Sequence, residues 1–189
     1  MANQDSPFGL RAIGKIGQNR DNQGLAEFSI AASATAIYGQ DPVKALATGT
    51  IGVAAAGDTL LGSLNGVFFT AADTSKPTFA NHLNASNTAT DIVGFVSSDP
   101  YERFEIQSDN TAASAQTDVF MNYDITYAAG SSHDYLSGVE LDDSTTSTAS
   151  GQLRVVGVSK DIKNNELSAS HVNFVVMINE HFLKGTAGV

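Results

Sequence analysis

A chain of 189 residues, 42% hydrophobic and 16% charged, carries enough apolar side chains to bury a core of ordinary size, which excludes wholesale disorder. No run of 18 apolar residues marks a membrane helix, and the first ten residues lack the basic-then-apolar pattern of a secretory signal. With no cysteine in the sequence, a disulfide framework, a thiolate metal site and a cysteine nucleophile all drop out. The net charge of −10 is unevenly spread: from Asp91 to Asp143 there are eleven acids against Arg103 alone, while acids and bases balance elsewhere. Two readings stay open, a solvated acidic surface, or an acidic face turned to solvent combined with a basic N-terminal arm that reaches for a partner. A nucleic-acid-binding face is not expected, because phosphate recognition needs clustered Lys and Arg.

Residues 1–24 hold Pro7, Gly9, Gly14, Gly17 and Gly24 among few large apolar side chains, and are expected to form an extended arm. Residues 25–189 are then a single β-rich domain. Its strand signals begin at Leu25–Ile30. A turn follows at Gly39-Gln40-Asp41-Pro42, where proline fixes its own φ and disfavours a helical residue before it. Short strands are predicted over Val43–Leu46 and Thr50–Val53. Leu60–Thr70 follows, with Gly62 and Gly66 marking bends or bulges. The segment from Ala71 to Thr90 is rich in small polar residues and reads as a long excursion. Within it, Phe79 and Leu83 are apolar enough to anchor onto the body or onto a partner.

Period-two alternation is cleanest in the C-terminal half. Phe104 and Ile106 share one face of Glu102–Gln107, with Arg103, Glu105 and Gln107 on the other. Val172, Phe174, Val176 and Ile178 share a face of the last strand. Leu153–Val158 reads as a strand covered on both sides, Thr111–Asp118 as a short helical turn, and Asp142–Ser150 as a polar loop. The absence of any long 3.6-residue stripe gives a mostly β fold, a compact β-barrel or β-sandwich with an extended N-terminal arm and long loops.

Motifs with chemistry in them are weak. Gly9-Leu10-Arg11-Ala12-Ile13-Gly14-Lys15-Ile16 misses a phosphate-binding loop at its last position, where a hydroxyl is needed to reach magnesium and Ile16 stands instead. Ser132-His133-Asp134 has the letters of a catalytic triad, but consecutive residues do not converge on one another. His82, His133, His171 and His181 are scattered singly, without the i, i+4 spacing of a helical zinc pair. Asp142-Asp143 lacks the glycine and distal glutamate of a calcium loop and reads as an exposed acidic turn. No catalytic, cofactor-binding or metal-binding residue is therefore assigned, no cofactor is expected, and the chain is read as not an enzyme.

Both ends carry a recognisable pattern. Met1-Ala2-Asn3, with Pro7-Phe8-Gly9-Leu10-Arg11, resembles the opening of a family of tailed-phage and prophage capsid-associated decoration, or cement, proteins. Gly39-Gln40-Asp41-Pro42-Val43 is similar to that family's Gly-Asp-Pro-Val turn with one residue inserted. Phe104-Glu105-Ile106-Gln107 is similar to its central strand, and Ser137-Gly138-Val139-Glu140-Leu141-Asp142 to the segment before its loop. Ile178-Asn179-Glu180-His181 and Gly185-Thr186-Ala187-Gly188-Val189 are similar to its C-terminus. The pieces are short but span the chain in order; Ala71 to Thr90 departs most.

The resemblance implies a non-enzymatic virion protein on the outer surface of the head that binds the major capsid protein. Analogy with other decoration proteins adds self-association as a homotrimer, and the charge and hydropathy patterns give no expectation of nucleic acid or membrane as partner. Capsid contact is expected through the arm, by Phe8, Leu10, Arg11, Ile13 and Lys15. Each buried apolar side chain there would contribute roughly 1.5–3 kcal/mol before ordering costs, and deleting residues 2–14 is expected to leave a folded body. A tail-tube subunit and a β-sandwich receptor- or glycan-binding module are the alternative readings.

Overall fold

Alternation becomes architecture in the C-terminal half. Phe104 and Ile106 of strand β8 (Glu102–Gln107) and Phe174, Val176 and Ile178 of β13 (Asn173–Ile178) are all buried, because successive strand side chains point to opposite faces. The two strands pair antiparallel, with Phe174 opposite Ile106 and Val176 opposite Phe104. β1 (Arg11–Lys15), β12 (Leu153–Val158) and β9 (Asn122–Tyr123) complete an antiparallel sheet in the order β1-β8-β13-β12-β9. A two-stranded ribbon, β10 (Ile125–Thr126) with β11 (Glu140–Leu141), adds Ile125 and Leu141 to the same core, which also holds Leu10, Val139, Leu153, Val155 and Val172. These features come from a computed structural model that describes residues 3–17, 24–109, 114–185 and 188–189.

The second sheet has the order β2-β7-β5-β3-β4, built from β2 (Ala26–Ser29), β3 (Pro42–Ala45), β4 (Ile51–Val53), β5 (Gly62–Thr70) and β7 (Val93–Ser97); β6 (Pro77–Ala80) pairs with the far half of β5. Its core collects Ile30, Ile37, Val43, Ile51, Leu61, Leu64, Val67, Leu83, Ile92 and Val96. A register shift between Leu64 and Gly66 is the bulge expected of this glycine-bearing strand. The consecutive residues Leu60 and Leu61 divide between the cores, Leu60 in the first and Leu61 in the second. Leu60 also bridges to His181, so the segment that follows β13 is fastened at the joint. The molecule is mostly β, an antiparallel sandwich-like arrangement, with no closed barrel among the described residues.

Particular elements refine the sequence reading. Leu153 and Val155 are buried, but Arg154 between them is exposed, so this strand is covered on one face and not on both, because the charge at Arg154 interrupts the apolar run. The segment from Ala71 to Thr90 contains β6, and Leu83 bridges to Ile37 inside the second core. A short 3-10 turn occupies Gln116–Asp118, while 111–113, the start of the predicted turn, lie outside the described residues.

Residues 3–15 do not stand away from the body. Arg11–Lys15 is an edge strand on β8, and Leu10 is completely buried in the first core. Removing residues 2–14 therefore cuts into the core, and a Leu10 truncation alone is expected to cost about 2–5 kcal/mol. Small polar residues concealed this docking, because it is made largely by hydrogen bonds.

Candidate functional site

Two side-chain amides clamp the N-terminal segment. Gln107 accepts from the Ser6 N–H (2.8 Å) and donates to the Gln4 carbonyl (3.0 Å). Asn164 donates to the Gln4 carbonyl (2.7 Å) and to the His171 carbonyl (2.7 Å). Beyond them Gly9 adopts φ +75°, and a Cβ there would fall 2.4 Å from the Gln40 carbonyl oxygen and 2.4 Å from Ser137 Cβ. Only glycine suits that combination of left-handed backbone and close approach. The Leu10 N–H then donates to the Gln40 carbonyl (2.9 Å), and Ser63 Oγ donates to the Leu10 carbonyl (2.6 Å).

The five residues expected to meet a capsid are thereby placed. Leu10 points into the core. Arg11 forms an ion pair with buried Glu105, and its guanidinium lies 4.4 Å from the centre of the Phe8 ring. Lys15 pairs with Asp99 at 2.8 Å and is largely covered. Phe8 is half-buried, and Ile13 is exposed. As for the near-miss phosphate loop, its Arg11–Lys15 portion is a strand paired with β8, an extended conformation rather than a loop folded around an anion.

The acidic stretch is not a uniformly solvated surface. Glu102, Glu105 and Asp109 are buried. Glu105 is satisfied by Arg11 and by the Ser159 hydroxyl. Asp143, expected on an exposed turn, is half-covered. Burial, reinforced by Asp109 and Asp118, pushes its carboxyl up to about 8. Asp142 accepts from the Ser144 N–H and hydroxyl, so it terminates a local turn. Burial also raises Asp41 to about 6, opposed by hydrogen bonds from Ser137 and Tyr38. Sequence spacing could not foresee this, because the covering groups come from the N-terminal segment and distant loops.

Ser132, His133 and Asp134 lie on an exposed turn, where Ser131 Oγ accepts from the His133 N–H and Asp134 from the Leu136 N–H. His82 stacks on Tyr135 at 3.8 Å. His181 is buried, and its Nδ1 accepts from the Leu183 N–H at 3.1 Å, capping the turn Phe182–Lys184. His171 is different. Its Nδ1 lies 3.9 Å from Asp5 Oδ1 and 3.9 Å from Glu140 Oε1. No spacing rule connects these positions: one is in the N-terminal segment, one in β11 and one in the loop before β13.

An aromatic face lies on the outer side of the second sheet. Phe68 of β5 stands opposite Phe79 of β6, and Phe95 of β7 stands opposite Gly66. The Phe79 ring passes over Gly66, where a Cβ would come within 2.9 Å of its Cζ, and reaches Phe95 at a ring separation of 5.7 Å. Phe79 is 67% exposed and Phe68 38%. Of the two expected anchors in the excursion, Leu83 thus serves the body and Phe79 faces solvent. Comparison with family models, curated proteins and solved structures finds no match.

Proposed function

We propose that this chain is a non-enzymatic virion structural protein, a head decoration protein that binds the capsid shell of a tailed phage and stabilises it from outside. One observation carries the reading. Four of the segments whose residues resemble that family, around Gly9, Gln40, Glu105 and Ser137, are far apart in sequence and meet around Gly9–Arg11. Gly9 packs against Gln40 and Ser137, the Leu10 N–H bonds Gln40, and Arg11 pairs with Glu105. Convergence of these separated segments on one structural knot supports reading them as parts of a single pattern.

The physical role fits the molecule's surfaces. A cement protein adds contact energy between shell subunits, which calls for a stiff body with apolar surface held outward at little conformational cost. Phe68, Phe79 and Phe95 supply such a face, since aromatic side chains bring large contact area with few rotatable bonds. With the N-terminal segment engaged on the body, this face and the exposed Ile13 are the surfaces assigned to the major capsid protein or to further copies of the chain in a trimer.

The competing tail-tube reading is separated by assembly behaviour. Negative-stain electron microscopy of the purified chain should show discrete monomers or small rings that bind heads when heads are added. Spontaneous tubes would overturn the decoration role in favour of a tail component.

A further inference from the structure

We propose that Asp5, Glu140 and His171 form a site for a divalent transition-metal ion that fastens the N-terminal segment to the body. One ligand atom from each residue lies within 4.8 Å of the other two. Glu140 Oε1 and His171 Nδ1 are shut off from solvent, and neither has a hydrogen-bond partner among the described residues. A buried acceptor and a buried ring nitrogen each left unsatisfied carry a desolvation cost that a native structure normally avoids. At 3.9 Å they are too far apart to bond each other. An ion between them satisfies both, since tetrahedral ligands at metal distances near 2.0–2.2 Å sit about 3.3–3.5 Å apart; the two 3.9 Å separations from His171 need to contract by about half an ångström, and the remaining one, within 4.8 Å, by more.

The surroundings hold the ligands in place. Asn164 Nδ2 donates to the His171 carbonyl and to the carbonyl of Gln4, the residue before Asp5, so one amide positions the backbone beside two of the three ligands. His171 has a left-handed backbone, φ +59°, and its Nδ1 lies 3.9 Å from Glu140 of β11. Glu140 sits in the β10–β11 ribbon opposite Thr126. Such support orients ligands before the ion arrives. Two carboxylates and a neutral imidazole balance a divalent charge, and the imidazole favours zinc-like ions over magnesium or calcium, which prefer all-oxygen sets. Three protein ligands leave a fourth position for water or for a group from a partner. Because Asp5 comes from the N-terminal segment, binding energy at the ion is docking energy for that segment.

The test uses the full chain without a polyhistidine tag, stripped with EDTA and desalted, titrated with zinc chloride by calorimetry and followed by thermal melting. Binding of one zinc per chain is expected, with a melting temperature about 5–10 °C higher at a hundredfold excess over Kd. Magnesium at the same concentration should leave the melt unchanged. Glu140→Gln and His171→Asn should each weaken zinc binding at least tenfold. Asp5→Asn, at a largely exposed position that tolerates the change, should do the same in a chain that folds normally. Absence of zinc binding up to millimolar concentration would overturn the site. So would binding that persists in all three variants, or binding lost only when His82 or His133 is changed.

Discussion

Arg11 stands directly opposite Glu105 in the β1–β8 register, and both its Nε and Nη2 donate to the same carboxylate oxygen. The other oxygen of Glu105 accepts from Ser159. The glutamate is nearly covered while the arginine is about half exposed, so the pair locks an N-terminal strand onto a buried charge.

Arg11→Ala leaves that charge with Ser159 as its remaining partner. We expect a loss of about 1–3 kcal/mol in denaturant unfolding, below the penalty for a fully buried pair because solvent reaches the arginine. Glu105→Gln, which removes the charge and keeps the shape, should cost less than Arg11→Ala.

Gly9→Ala meets two obstacles, a left-handed backbone and atoms at 2.4 Å from the new methyl group. The expected destabilisation exceeds about 2 kcal/mol, a fall in melting temperature of at least about 4 °C for a chain of this length. Gly17→Ala, also at positive φ but with nothing among the described residues within 4 Å, supplies the comparison. It should cost clearly less.

Much of the fold was legible in the sequence because strand periodicity survives wherever one face is buried. Val172, Phe174, Val176 and Ile178 fall in one core as their spacing requires, and the Gly39-Gln40-Asp41-Pro42 turn forms with the Asp41 carboxylate accepting from the Tyr38 N–H. The N-terminal docking was not legible, because Gln107 and Asn164 hold it through side-chain amides that have no periodic signature. Nor was the inward turn of Glu105 and Asp143, since charge density in a sequence does not say which acids find cover. The grouping of Asp5, Glu140 and His171 depends wholly on tertiary structure.

Acidity should stabilise the protein through Asp143. Its carboxyl is raised to about 8 by burial and by Asp109 and Asp118, so the folded chain holds this proton more tightly than the unfolded chain. That contribution is complete below about pH 4 and is lost as pH rises through about 8. Asp41, raised to about 6, acts in the same direction over a lower window. His181, depressed to about 4 by burial and by Lys184, acts oppositely, its contribution present above about 6.5 and lost as pH falls through 4. Between pH 6.5 and 8 Asp143 is the one of these three whose contribution changes most. Denaturant unfolding in EDTA should therefore show Asp143→Asn gaining on the parent chain over that interval, and a constant difference would refute the assignment.

The outer aromatic face separates folding from binding. Phe79 is mostly exposed, so Phe79→Ser should shift stability by no more than about 1 kcal/mol. Cosedimentation with phage heads lacking the protein should nevertheless weaken at least tenfold. Unaltered cosedimentation would remove this face from the contact.

The central claim is tested most directly by gold-labelled antibody against this protein on intact phage particles, viewed by electron microscopy. The decoration reading predicts gold distributed over the outside of the head. Gold confined to the tail, or particles that remain unlabelled, would contradict it.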